Sequence, residues 1–236
     1  MREGAHTIIE RQDLRNRARV FRDRAHAGEV LAEMLAPSFE RRVHAMVLAI
    51  PAGGVPVAAP IAERLALPLD LAVVSKITLP WDTEAGYGAV AFDGSVHLNE
   101  RLVREIGLSE AQVEAGVART REKVARRSAD LREGRSYAAV SGADVVLVDD
   151  GLASGFTLRA AVAAVRAAGA ATISVAVPTA HESSARALAD SVEAFYCPNV
   201  RAGRSYAVAD AYREWSDVDE ETVRAILADF RSSAAS

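Results

Sequence analysis

The sequence predicts an α/β protein built on a mostly parallel, doubly wound sheet flanked by helices. Three observations carry that expectation. Compact apolar runs such as Met46–Ile50 and Val145–Val148 recur along the chain, and stretches with helical spacing separate them. Alternation of that kind calls for a sheet covered on both faces. Glycine-bearing segments at 51–56 and 149–157 follow two of the runs. They therefore fall at the carboxyl rim, where open sheets collect ligands.

Taken in order, residues 10–35 read as a helix, with Val20, Phe21, Ala25, Gly28, Leu31, Ala32 and Leu35 recurring among arginines and acids, and Pro37 ending the pattern. Met46–Ile50 is a buried strand, and a helix follows Pro51-Ala-Gly-Gly-Val-Pro56 through Leu65. Leu71–Val74 reads as a third strand. Residues 76–86 lack periodicity and carry Pro80, Trp81, Asp82 and Glu84, so a loop is expected there. Tyr87–Phe92 and Ser95–Leu98 flank Asp93-Gly94, a two-residue hairpin signal. Ser109 is placed to cap a charged helix running to about Arg132. A strand at 145–148, a helix at 158–168, a strand at 173–177, a helix at 182–190 and an apolar run at 192–197 complete the core. One domain over 1–236 is expected, with its core at about 20–200. The N-terminal helix and the segment 198–230 are candidates for a small hood.

Composition narrows the function. Half of the 236 residues are hydrophobic and 25% are charged, which supports a full core. The formal net charge of −4 argues against a nucleic-acid binder. Arg11 to Arg24 is arginine-rich, but Asp13 and Asp23 interrupt it, and a solvated face or subunit contact is favoured. The charged stretch 109–132 is a second candidate contact surface for a homo-oligomer. Cys197 is the only cysteine, so no internal disulfide or Cys-based zinc site can form, and its apolar run suits a packing role. His97 and His181 lack metal-ligand spacing. No apolar run approaches the roughly 20 residues that span a bilayer, and the start lacks a secretory h-region. A cytoplasmic protein is expected.

The most informative stretch is Val145-Val-Leu-Val-Asp-Asp-Gly-Leu-Ala-Ser-Gly-Phe-Thr157. A strand–loop–helix junction offers backbone N–H groups and a helix dipole to an anion. Two carboxylates at its mouth would repel that anion unless they bind something else, and vicinal sugar hydroxyls fit them. The run resembles the signature by which type I phosphoribosyltransferases bind 5-phosphoribosyl diphosphate (PRPP). The resemblance implies that Asp149 and Asp150 hold the ribose. It makes Gly151, Ala153, Ser154, Gly155, Phe156 and Thr157 the 5-phosphate loop.

The other segments gain meaning from that resemblance. Pro51-Ala-Gly-Gly would be the pyrophosphate loop, with Ala52, Gly53 and Gly54 as contacts and a cis peptide expected at Ala52–Gly53. Ala52 stands where the family pattern carries arginine, which removes a cation from the leaving group. Lys76 is the remaining candidate cation. It opens a segment matching a mobile catalytic loop, in which Glu84 or Asp82 could accept a proton. Tyr206, Tyr212 and Trp215 are candidates for the acceptor-base hood. Phe21-Arg-Asp-Arg24, Gly88-Ala-Val, Ala176-Val-Pro and Ala207-Val also match in order, so the resemblance spans about residues 20–230.

Three function classes follow. The first is an enzyme transferring a 5-phosphoribosyl group from PRPP to a nitrogen base, with Mg2+ arriving largely on the PRPP rather than through direct protein ligands. The second is a non-catalytic PRPP or nucleotide sensor, favoured by Ala52. The third, a nucleic-acid regulator on the same fold, is opposed by the acidic balance.

Overall fold

The computed structural model describes residues 8–133, 140–203 and 206–234. A short edge strand β1 (Ile8–Ile9) precedes α1 (Arg24–Phe39), β2 (Ala45–Ala49), α2 (Gly54–Leu65) and β3 (Leu69–Leu71). An antiparallel unit follows, made of β4 (Val74–Leu79), β5 (Asp82–Ala91) and β6 (Val96–Leu98), and then α3 (Glu100–Glu105) and α4 (Glu110–Arg132). The second half runs β7 (Asp144–Val148), α5 (Phe156–Ala167), β8 (Thr172–Ala176), β9 (Thr179–His181) and α6 (Glu182–Ala189). It continues through β10 (Ala194–Tyr196), β11 (Asn199–Arg201), a 3-10 turn at Val208–Ala211 and α7 (Glu220–Ala234).

The main sheet is wholly parallel in the order β1-β10-β8-β7-β2-β3. It is doubly wound. Val145 and Leu147 pack with α5 and α6, whereas Val146 and Val148 pack with α1, α2 and α4, as the two-residue period of a strand demands. From β2 the chain proceeds outward to β3, and from β7 it proceeds the other way through β8 to β10. The junction between β2 and β7 is therefore the topological switch point, where the loops leaving two adjacent strands diverge and leave a crevice.

Prolines shape the rim. Pro178 and Pro198 follow β8 and β10, and the two strands re-pair beyond them as the small parallel sheet of β9 and β11. A proline cannot donate to a ladder, so the main sheet ends there and its continuation tilts over the rim. The hairpin predicted at Asp93-Gly94 forms, with Gly94 left-handed at φ +82° and the Ala91 amide donating to Ser95 O. Ser109 caps α4 in a reciprocal box with Gln112.

Four local expectations are corrected. The helix expected over 10–35 begins only at Arg24. Asn16 and Arg19 adopt left-handed φ values of 58° and 53°, and the amides of 11, 16, 19 and 21 donate to carbonyls of 198, 200, 210 and 211 instead. Residues 8–22 are thus a strap laid against distant chain. Pro37 does not end α1, which reaches Phe39. It lies in the last turn, where its missing N–H costs a single intrahelical bond. The Leu71–Val74 run is split between β3 and β4, which belong to different sheets. Residues 76–86 are no open loop: β4 and β5 pair as a hairpin whose register shifts at Ile77/Thr78 and Thr78/Leu79. Those irregularities erase the alternation that marks a strand.

Helices α1 and α2 touch at Gly28. A Cβ there would stand 2.3 Å from Val57 O, a backbone atom of α2. Gly28→Ala would gain up to about 1 kcal/mol of helix propensity, but the clash falls on backbone that cannot yield. The expected outcome is a net destabilisation of roughly 1–3 kcal/mol, read as a lower denaturant midpoint at unchanged m-value.

Candidate functional site

Both loops at the switch point are held against each other. The Ile50 amide donates to Val148 O (2.8 Å), so the chain leaving β2 stays paired to the end of β7. The Pro51–Ala52 peptide is cis, one bond before the position expected from the sequence. Gly53 already has helical φ/ψ (−61°, −29°) as the residue capping α2, so the Ala52–Gly53 peptide belongs to the helix entry. The glycines are required by the neighbouring acids. A Cβ on Gly53 would lie 2.0 Å from Asp150 Oδ2, and one on Gly54 would lie 2.7 Å from Val148 O.

Asp149 and Asp150 follow β7 directly. The Asp150 amide donates to Asp149 Oδ1 at 2.9 Å, folding the first carboxylate back on the chain. Asp150 Oδ2 receives Nε of Arg24 at 3.0 Å and Nη2 at 2.9 Å. Burial pushes the Asp149 carboxyl well above the ordinary aspartate range, and the charge of Asp150 adds to it. Burial also raises Asp150, against the opposing pull of Arg24. Asp149 is therefore the member of the pair that favours a proton, and Asp150 keeps the cationic partner.

The loop 151–157 divides by exposure. Gly151 lies under Val208, whose Cγ1 would be 2.4 Å from an added Cβ. Leu152 is buried and bonded on both sides to β9, its amide to Thr179 O (2.9 Å) and its carbonyl to the His181 amide (3.0 Å). Ala153 and Ser154 are exposed, and the Ser184 hydroxyl holds Ala153 O at 2.5 Å. Gly155 turns left-handed (φ +78°, ψ 3°), and α5 starts at Phe156 with Thr157 in its first turn. The leading amides of a helix lack in-helix acceptors, so this anchored loop presents donors beside the acids. Arg159 also lies in the first turn, exposed, at a position the sequence reading passed over.

The tail aromatics separate. Tyr212 donates its hydroxyl to Asp150 O at 2.6 Å, and Trp215 stacks on Arg24 with the guanidinium carbon 3.8 Å from the ring centroid. Tyr206 instead sits edge-on to the His181 ring with centroids 5.9 Å apart, beside β9 and β11. Burial raises its hydroxyl's pKa far above the usual tyrosine range. Lys76 is on β4, exposed, with its methylenes across Gly86. Asp82 accepts the Ala85 amide at 3.1 Å. The Glu84 side chain lies outside the described residues. Cys197 is fully buried and its thiol is pushed up by that burial, which makes it a packing group.

Besides Arg159, two further cations at the rim are not marked by the sequence pattern. Arg24 is one. The other is Arg127 of α4, whose Nη1 donates to Pro51 O at 3.3 Å while its Nε holds Glu220 at 2.9 Å. Their signals were weak, because an arginine on a charged helix reads as a solvated face. Among the described residues, no group of three or more His, Cys, Asp and Glu is arranged to hold a metal ion, and no helix is long and apolar enough to cross a membrane. A cavity of about 930 Å³ lies away from the acids, between α2 and α7.

Paired acids and an anchored glycine loop at a topological switch point define a class, and comparison with known proteins places the chain in it. A family model described as "Phosphoribosyl transferase domain" matches residues 92–207, which include the acids and the 5-phosphate loop. The Mycobacterium tuberculosis proteins named "Putative phosphoribosyl transferase Rv0571c" (strain H37Rv) and "Putative phosphoribosyl transferase MT0597" (strain CDC 1551) are each 35% identical over 209 residues, 89% of this chain. This chain spans about half of their length (46%). The crystal structure of TT1426 from Thermus thermophilus is 36% identical, with a TM-score of 0.74, and the match covers 89% of this chain and 98% of that one. The chain belongs to the phosphoribosyltransferase family.

A raised carboxyl pKa in the folded state makes stability depend on pH. The folded protein holds a proton at Asp149 where the unfolded chain has lost it, so this contribution is present below the ordinary aspartate value, near pH ~4, and fades as pH rises through the folded value. Asp149→Asn should flatten that decline. Denaturant midpoints measured across a pH series, wild type against variant, check it.

Proposed function

We propose that the chain is a phosphoribosyltransferase that binds PRPP at the β2/β7 switch point and transfers its 5-phosphoribosyl group to a nitrogen base. One observation carries this reading most of the way. Two adjacent carboxylates stand between a glycine loop and a helix-opening anion loop, a donor and acceptor set that suits a sugar phosphate.

Asp149 and Asp150 take hydrogen bonds from the ribose hydroxyls, and the negative charge of Asp150 favours cationic character as the bond at C1 lengthens. Backbone amides of Gly151 and of Ala153 to Phe156 hold the 5-phosphate, with the hydroxyls of Ser154 and Thr157 beside them. That remote grip is spent on orienting C1 toward the acceptor. Gly53, Gly54 and Ala52 border the departing pyrophosphate. Lys76 is assigned to it from the β4–β5 hairpin, and Glu84 of the same hairpin to the acceptor's proton. Closure of that hairpin would keep water from the ribosyl centre. Tyr212 and Trp215, with Tyr206 farther off, form the acceptor hood together with the N-terminal strap, all within one domain.

Two vicinal carboxylates, one favouring its neutral form, make a poor cage for a bare divalent ion. They do fit Mg2+ that keeps most of its ligands from the diphosphate and water, with Asp149 and Asp150 facing it. The ion would supply charge neutralisation on the phosphates.

Ala52 favours a second reading, a non-catalytic PRPP sensor, because the loop lacks a cation of its own. Arg127 tells against it, since its guanidinium reaches Pro51 O from α4. Exchange of labelled pyrophosphate into PRPP, in the presence of mixed purine and pyrimidine bases, separates the two. Exchange with nucleotide formation supports the enzyme, and binding without exchange supports the sensor.

Asp150→Asn should weaken magnesium-PRPP binding by about tenfold or more, through loss of a charged acceptor in a buried site. Calorimetric titration of wild type and variant checks this, and equal affinities would remove the ribose assignment. Gly53→Ala should act similarly by displacing the Asp150 carboxylate, with a smaller effect on folding than on binding.

A further inference from the structure

Phe21-Arg-Asp-Arg24 is the sequence motif that the reaction does not use, and its residues converge on one side chain. Phe21 is fully buried against Tyr212, with ring centroids 5.7 Å apart, and its amide donates to Ala211 O. The Arg22 carbonyl accepts the Glu214 amide at 2.8 Å. Asp23 caps α1 by accepting the His26 amide at 2.8 Å. Arg24, the first residue of α1, is thereby fixed between a helix end and the C-terminal segment, and only 10% of its side chain is exposed.

Each part of its guanidinium is engaged. Nε and Nη2 both address Oδ2 of Asp150, Nη1 donates to Ser216 O at 2.8 Å, and one face lies on Trp215. Both donors choose the oxygen that also presses on Gly53. Arg24 thus addresses one oxygen of the carboxylate, Oδ2.

We propose that Arg24 is a positioning residue that joins the hood to the ribose site, holding Asp150 by Oδ2 while clamping Trp215 and Ser216 above it. This rests on the PRPP reading given above. Arg24 stays on Oδ2 when ribose occupies Oδ1, so the ligand reinforces the carboxylate's orientation and, through the guanidinium, orders the 206–216 segment. Lysine could keep the ion pair. It could not lie flat on an indole and reach a backbone carbonyl at the same time.

The test titrates magnesium-PRPP into wild type, Arg24→Lys, Arg24→Gln and Trp215→Phe by calorimetry, and follows amide hydrogen exchange in residues 207–216. Arg24→Gln should bind at least about tenfold more weakly, because a buried acid loses its partner. Arg24→Lys and Trp215→Phe should bind within about threefold of wild type yet lose the ligand-induced protection of the hood. A purely structural arginine would not split affinity from hood protection in this way. Arg24→Gln binding as tightly as wild type, or more tightly, overturns the proposal, the latter because Arg24 would then be blocking the site. Should Arg24→Gln fail to fold, Trp215→Phe with fully retained hood protection overturns it alone. Wild type that binds no PRPP removes the proposed function itself. Wild-type binding with unaffected variants removes only the role of Arg24.

Discussion

The end of β2 and the end of β7 meet with no side chain between them, and the site depends on that contact. Gly53 has to be bare because Asp150 Oδ2 occupies the volume a Cβ would need, and Gly54 has to be bare because the β7 backbone passes beneath it. The same closeness strips water from the acids, which raises both of them and leaves Arg24 as the cation that opposes the rise at Asp150. A buried carboxylate without a partner tends to neutralise. Packing, electrostatics and ligand geometry therefore share one origin, the parallel pairing of two strands whose loops diverge.

From that point the molecule reads outward. Residues 8–22 run along β10 and β11, bond to residues 210 and 211, and deliver Arg24 to the acids. The tail returns over Gly151 through Val208 and over Asp150 through Tyr212. The proposed hood consequently joins the N-terminal strap to the segment before α7, fastened by Phe21, Ala211 and Tyr212 in a small apolar cluster. A cover built this way can shift with little disturbance to the two large cores on either face of the sheet. In the proposed reaction substrate entry would need such freedom, since Asp150 keeps only 19% side-chain exposure in this conformation.

What the sequence made legible follows from how local the signals are. The strands at 45–49 and 144–148, the helices α2, α4 and α5, and the acid–glycine loop each depend on neighbours within a few residues, and the structure contains them. The failures share a cause. The helix expected from residue 10 rests on periodicity from Val20 onward, but the backbone partners of residues 11–21 lie almost 200 residues away, and two left-handed residues let the chain reach them. The hairpin at 74–91 was hidden by its own bulges. Arg24 and Arg127 were invisible as site residues because their roles arise only when α1 and α4 are placed against the rim. Tyr212 and Trp215 were visible as aromatics, but their placement on Arg24 and Asp150 was not.

Ala52 illustrates how a fold can move a charge. An arginine at that position would project from the loop itself, whereas Arg127 approaches from α4 and is tethered to Glu220 of α7. A guanidinium on a loop moves with the loop. One held between two helices is preorganised, and in the proposed reaction such a charge would cost less reorganisation when negative charge develops on the leaving group. It also ties the Pro51 end of the rim to α7, as Arg24 ties Asp150 to Trp215 and Ser216. The two arginines thus brace the same crevice from opposite walls, each anchored by a segment that ordinary sequence periodicity assigns to the surface.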